Sequence, residues 1–138
     1  MAHSIWVVDD DALVRVAVVA VLDELGYEAR AFATAEALYT DLVAADGPPD
    51  LLILDQRLPD ENGSAIVRSL RERAHFRDIP VLFLTAISDE EAGRLAAVAP
   101  VVRKPFDFGE LAAAVAQQVD GDGTSPIVEP RPAGGSLP

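Results

Sequence analysis

Five polar side chains stand where short apolar runs end. Asp9 and Asp10 follow SIWVV (4–8), Asp55 follows LLIL (51–54), Thr85 follows VLFL (81–84), and Lys104 comes just after Val101 and Val102, beyond Arg103. A short apolar run is the pattern of a strand buried on both faces. The residue after it sits where the chain leaves the core, and open parallel sheets bind ligands at the carboxyl ends of their strands. On parallel strands all five residues share one edge. Carboxylates held close there repel one another and raise each other's pKa values, which a divalent cation relieves. Oxygen donors without Cys or His suit magnesium, which favours a few carboxylates plus a phosphate. An ionised Asp55 is then a nucleophile toward phosphorus. Phosphoryl transfer needs mainly positioning and charge neutralisation. Metal, the Lys104 ammonium and the Thr85 hydroxyl each answer to one phosphoryl oxygen.

Each of these residues alone has a plainer reading. A single Asp after a strand starts a turn. Asp11 serves as a helix N-cap, and acids near a helix start are favoured by its dipole. Thr85 alone carries no information, and a lone lysine is usually a solvated charge. What is specific is their joint occurrence at successive run ends.

The elements that must position them are legible from pattern. Ala12 to Leu25 is rich in valine, yet its length, Asp11 before it and Gly26 after it favour a helix. Tyr27 to Phe32 reads as a second strand. Thr34 caps a helix to about Ala45, with Leu38, Leu42 and Val43 expected on its apolar face. Gly47, Pro48 and Pro49 break the chain before the Leu51 strand. Ser64 to Arg73 reads as a helix with Ile66, Val67 and Leu70 inward, and the apolar run Val81 to Leu84, ending at Thr85, as the fourth strand. Ser88 and Glu91 have capping-box spacing, so a helix is expected from there to about Val98. Val101 and Val102 form a fifth, very short strand. Asp107 and Glu110 repeat the box before a last helix to about Val119. Strand and helix thus alternate five times, the pattern of an α/β three-layer sandwich with a parallel sheet.

Composition bounds the rest. The 138 residues suffice for one domain with a core. Half are hydrophobic and a quarter charged, as in soluble globular proteins. With 23 acids against 11 bases the net charge is -12, which argues against direct nucleic-acid binding. The absence of cysteine excludes disulfides and thiolate metal sites. His3 and His75 are far apart and read as surface residues. No apolar run is long enough for a membrane span, and no signal peptide is evident, so a cytoplasmic protein is expected. From residue 121 to 138, eight residues are Gly or Pro, which reads as a flexible tail or linker after a folded domain at 1–120.

At the site residues the chain closely resembles the receiver domains of two-component response regulators. The segments that carry the resemblance are VVDDD (7–11), LDQRLPDENG (54–63), LTA (84–86) and KPF (104–106), in that order, within about residues 4–119. The resemblance implies a flavodoxin-like five-stranded sheet of order 2-1-3-4-5. It implies that Asp55 accepts a phosphoryl group from a phosphohistidine on a sensor histidine kinase or histidine phosphotransfer protein, acting as a switch on a downstream effector. It implies magnesium held by Asp10, Asp55 and the backbone carbonyl of Arg57, with Asp9 assisting. It further implies Thr85 and Lys104 on the phosphoryl group, a cis Lys104–Pro105 peptide, and Arg57 and Ile87 at positions that tune the phosphoryl lifetime. Two departures stand out. Val101 occupies the position, three before the lysine, where the family usually has Tyr or Phe. The stretch from Thr85 to Lys104 is short by about a helical turn, with Ala99-Pro100 in place of the common Gly.

Three other readings are weaker. An aspartyl-phosphate phosphatase of the haloacid-dehalogenase type carries a second acid two residues after the nucleophile, where this chain has Arg57. A flavin or nucleotide binder needs a phosphate-cradling loop after the first strand, and Asp9 to Asp11 repel phosphate. A receiver-like interaction module working without phosphorylation is opposed by the complete acidic set and favoured only by Val101.

Overall fold

The computed structural model describes residues 2–120, so the segment 121–138 lies outside the described residues. Five strands and five helices alternate: β1 (Ser4–Val8), α1 (Ala12–Glu24), β2 (Glu28–Phe32), α2 (Ala35–Ala44), β3 (Leu51–Leu54), α3 (Gly63–Arg71), β4 (Val81–Thr85), α4 (Asp89–Ala96), β5 (Val101–Arg103) and α5 (Phe108–Asp120). The sheet has the order β2-β1-β3-β4-β5, and every pairing is parallel.

Alternation along the strands divides the core. Ile5, Val7, Leu51, Ile53, Leu82 and Leu84 face α1 and α5, where Val18, Leu22, Leu111 and Val115 meet them. Trp6, Val8, Leu52, Leu54, Val81 and Phe83 face α2, α3 and α4, against Leu38, Leu42, Ile66, Leu70 and Leu95. The side-chain period of two sends neighbours to opposite faces, so runs such as LLIL are apolar at every position because both faces are covered.

The helix ends follow local chemistry. Asp11 accepts from the Leu13 and Val14 amides, which starts α1 despite its valines. At its other end Gly26 has φ +87, and the Tyr27 amide bonds back to the Leu22 carbonyl, so β2 begins at Glu28 rather than Tyr27. Asp107 and Glu110 close a full capping box: the Glu110 amide donates to Asp107 and the Asp107 amide to Glu110. α4 stops at Ala96, short of Val98, because the amides of Ala97 and Val98 tighten onto carbonyls three residues back and Pro100 disfavours helix at the residue before it.

One core expectation is corrected. Val43 is 72% exposed, while Ala35, Leu38 and Leu42 form the buried stripe of α2. Each helical residue turns by about 100°, so Val43 is carried off the face that Leu38 and Leu42 share. His3 and His75 are both exposed. No helix among the described residues is long and apolar enough to cross a membrane.

Candidate functional site

The sheet ladders run one residue past the strands and fix the site. The Asp9 amide donates to the Phe32 carbonyl, the Asp55 amide to the Val8 carbonyl and the Lys104 amide to the Thr85 carbonyl, each at 3.0 Å. The backbone under three of the residues singled out by sequence is therefore held as firmly as the strands themselves. Their side chains converge. Thr85 Oγ1 donates to Asp55 Oδ1 at 2.7 Å. Lys104 Nζ donates to Asp9 Oδ2 at 2.7 Å and to Asp55 Oδ2 at 3.2 Å. The Arg57 amide approaches Asp55 Oδ1 at 3.3 Å. Asp9, Asp55 and Thr85 are buried, whereas Asp10 is exposed at the rim.

Asp9, Asp10 and Asp55 each offer one carboxylate oxygen, all within 4.8 Å of one another. A hard cation suits that donor set: oxygens only, net negative, open on the Asp10 side. The arrangement also presents a carboxylate with a cation and a hydroxyl already aimed at its oxygens, the charge pattern that a phosphoryl group on Asp55 needs.

The loop after β3 is shaped around Asp55. A Cβ on Gly63 would lie 2.5 Å from the Asp55 carbonyl oxygen, so only glycine allows α3 to start this close. Gln56 Oε1 accepts from the Ser64 amide at 2.8 Å and its Nε2 donates to Ser64 Oγ, which caps α3 from outside the helix, where Asn62 makes no side-chain cap.

The response regulator receiver domain family matches residues 5–116. The chain belongs to that family. The phosphate regulon transcriptional regulatory protein PhoB of Klebsiella pneumoniae is 35% identical over 119 residues, which cover 83% of this chain and 51% of that protein. The DNA-binding transcriptional regulator NtrC of Azospirillum brasilense is 33% identical over 138 residues, covering 96% of this chain and 27% of that protein. The chain thus spans about half the length of the first relative and about a quarter of the second. Among solved structures, the chemotaxis response regulator CheY4 of Vibrio cholerae superposes with a TM-score of 0.76 at 25% identity, covering 86% of this chain and 99% of that one. The 2-1-3-4-5 sheet is the flavodoxin-like fold that such receiver structures share. Receiver domains are the regulatory phosphoacceptor modules of two-component systems, so the reading as an unrelated phosphatase or nucleotide binder falls.

Electrostatics in this receiver domain set the resting state. Burial raises the Asp9 carboxyl above its ordinary 3.8, and the Asp55 charge adds to this, while the Lys104 ammonium and the Asp11 amide pull the other way. Burial lowers the Lys104 pKa, but the hydrogen bond to Asp9 and the charges of Asp55 and Asp9 outweigh it and leave it raised above 10.5. The ammonium is thus the counter-ion of two buried acids, closer to Asp9 than to Asp55. The Lys104–Pro105 peptide is cis. Val101 is half-buried against the core under α4.

Three contacts were not legible from spacing. Asp60 lies far from α2 in sequence, yet its two oxygens accept from the Ala35 and Glu36 amides at 3.1 and 3.0 Å, and these bonds hold its pKa below the ordinary value. Arg57 pairs with Glu91 at 2.8 Å. Arg103 reaches the Ile87 carbonyl and Asp89. Only the Glu91 position carried a signal, the capping-box spacing, and that spacing pointed to another partner.

Proposed function

We propose that this chain is a phosphoryl-accepting switch in which Asp55 is the acceptor. The observation that supports it best is the convergence on Asp55 of Thr85 at 2.7 Å and Lys104 at 3.2 Å, beside Asp9 and Asp10. The donor is a phosphohistidine on a sensor histidine kinase or histidine phosphotransfer protein. An Asp55 oxygen attacks phosphorus, the phosphorus–nitrogen bond breaks, and the imidazole keeps the bonding electron pair, so an acyl phosphate forms. Asp9, Asp10, Asp55 and the Arg57 carbonyl would hold Mg2+. When bound, that ion screens the acids from the incoming phosphoryl charge and neutralises one of its oxygens. Lys104 follows the negative charge from the carboxylate to a phosphoryl oxygen, and Thr85 transfers its hydroxyl bond in the same way. Each contact strengthens as charge builds beyond Asp55, which is what shifts a two-state equilibrium.

The chain acts as a regulatory domain and not as a turnover enzyme, in the cytoplasm. Its output goes to an effector, either a partner protein or a domain of a longer chain. The PhoB and NtrC relatives are transcriptional regulators, which makes a DNA-binding effector the natural case. The receiver part itself, in a chain of net charge -12, is not the nucleic-acid contact.

The test is intact mass after incubation with acetyl phosphate and magnesium. One labile phosphoryl adduct is expected, not formed when magnesium is chelated beforehand and absent in Asp55→Asn. No adduct on the folded parent, or an adduct that persists in the variant, sinks this reading.

A further inference from the structure

A groove between α2 and α3 stays open above a closed core. Val43, 72% exposed, stands with Phe76 and Arg73 where two adjoining hollows meet, of about 400 and 230 Å3. Tyr39 and Glu61 border the smaller hollow, toward the acceptor loop. His75 and Pro48 border the larger, toward the N-terminal edge of the sheet. The α3 wall is basic in a chain of net charge -12, since four of its 11 Lys and Arg residues fall at 68, 71, 73 and 77. Arg71 is occupied by the Arg77 and Ile79 carbonyls. The Arg73 side chain makes no hydrogen bond or ion pair among the described residues, and its charge acts on the Tyr39 hydroxyl across the groove. The groove therefore offers an apolar floor and a cation at its rim, which suits an apolar segment followed by an acid.

The end of α5 lies at the same edge of the sheet as the larger hollow. His3 stands between Asp120, 4.0 Å from its Nε2, and Asp50, 3.6 Å from its Nδ1, and Asp50 accepts from the Ser4 amide at 2.7 Å. Gly47 and Pro48, in the loop that leads to Asp50, line that hollow. The chain thus leaves α5 beside the loop that walls the groove. Ile127 is seven residues on, and with Val128 it forms the only adjacent aliphatic pair after Asp120, in the sequence PIVEP (126–130). Seven extended residues reach up to about 23–25 Å, enough to round one sheet edge. Each proline disfavours helix in the residue before it, which lowers the cost of binding this stretch as an extended peptide. We propose that the groove between α2 and α3 is the docking site for residues 126–129 of the same chain, with Ile127 and Val128 on Val43 and Phe76 and with Glu129 at Arg73. A short tether holds the segment at an effective concentration of roughly a millimolar, so weak contacts suffice. The exposed apolar face of α1, Leu13 and Val16, begins beside Asp11 at the opposite edge of the sheet, away from the exit of α5. Tyr39, at the far end of the groove, donates to Glu61 Oε1 at 3.0 Å in the loop after Asp55. A docked segment therefore reaches the acceptor loop by a route that bypasses Val101, and its docking is independent of the acceptor role of Asp55.

The chain has no cysteine, so Ser125→Cys gives a single attachment point for a nitroxide. Amide spectra of the whole isotope-labelled chain are compared with the nitroxide oxidised and reduced. In the oxidised state the signals of Val43, Arg73 and Phe76 are expected to lose intensity, and those of Leu13 and Val16 are not. The double change Ile127→Asp, Val128→Asp is expected to abolish the loss. Val43→Asp, a surface change that leaves the core intact, is expected to abolish it from the groove side. Glu129→Arg is expected to move the ratio of docked to free segment about two- to five-fold toward free, the range of an exposed ion pair; an unchanged ratio overturns the pairing with Arg73. No loss at the groove, or equal loss on α1, overturns the proposal. So does loss that survives both sets of aspartate changes, which marks a label near the groove and not a docked segment. Loss on isotope-labelled chains without nitroxide, mixed with nitroxide-bearing ones, gives the groove to a second copy and overturns the proposal as well.

Discussion

Two glycine-to-alanine substitutions should act in opposite directions, and the difference tests how closely α3 abuts the acceptor. Gly63 opens α3, and a Cβ there would stand 2.5 Å from the Asp55 carbonyl oxygen, 3.2 Å from its carbon and 3.2 Å from the Gln56 Cα. All three are backbone atoms of the residues that form the site, so no side chain can swing aside. Alanine gains helix propensity of at most about 1 kcal/mol over glycine. Forcing a methyl into packed structure costs about 1–3 kcal/mol, with the upper part of that range fitting a contact against backbone. Gly63→Ala should therefore destabilise by about 1–2 kcal/mol net, a fall in Tm of about 5–10 °C for a domain of this size. Relief of the contact moves the Asp55 backbone, so labelling by acetyl phosphate should slow as well. Gly93 is the control. It lies inside α4, a Cβ there meets nothing within 4 Å, and its φ is not in the left-handed region. Gly93→Ala should stabilise by about 0.5–1 kcal/mol and leave labelling unchanged. Thermal melts and a labelling time course on the two variants decide the matter. A Gly63→Ala protein with the parent's Tm and labelling rate would refute the claim that this position requires glycine.

Other outcomes follow from the same contacts. Thr85→Val keeps the shape but takes from the buried Asp55 Oδ1 its shorter donor and leaves it only the Arg57 amide at 3.3 Å, which should cost about 1 kcal/mol in urea unfolding and slow labelling. Lys104 binds its proton more tightly folded than unfolded, so the stability it contributes is complete below its unfolded pKa near 10.5 and is lost as pH rises through the higher folded value. Unfolding midpoints across that alkaline window should fall more steeply in wild type than in Lys104→Met, and equal slopes would count against the pairing with Asp9 and Asp55. Asp60 has the opposite sign: its folded pKa is depressed, so its contribution is present above 3.8 and lost as pH falls through the folded value. Asp60→Ala removes both bonds to the α2 amides and should cost about 0.5–2 kcal/mol at neutral pH, as other N-terminal helix caps do, with a smaller acid-side loss than wild type.

Much of the molecule is written locally. LLIL and VLFL read as strands covered on both faces, because they are short, follow Pro49 and Pro80 closely and are apolar at every position of an alternating chain. Asp11, Thr34, Ser88 and the Asp107–Glu110 pair start their helices through bonds to amides two or three residues away, which spacing alone specifies. The strand-end positions of Asp9, Asp10, Asp55, Thr85 and Lys104 were legible for the same reason, since a parallel sheet brings all its carboxyl ends to one edge. Local rules stop at contacts between elements. Val43 looked like a partner for Leu38 and Leu42 until the angle of α2 on the sheet fixed which stripe was covered. Lys104 reads as a phosphoryl ligand in sequence, whereas folding sets it first on Asp9, 95 residues away. Asp60 caps a helix 24 and 25 residues earlier, and Glu91, spaced to cap its own helix, turns to an arginine 34 residues before it. Sequence fixed the elements and the chemistry at their ends because those depend on period and on bonds a few residues long. Which charge meets which depended on the packing of the loops over the sheet edge, where partners are chosen by distance in space and desolvation.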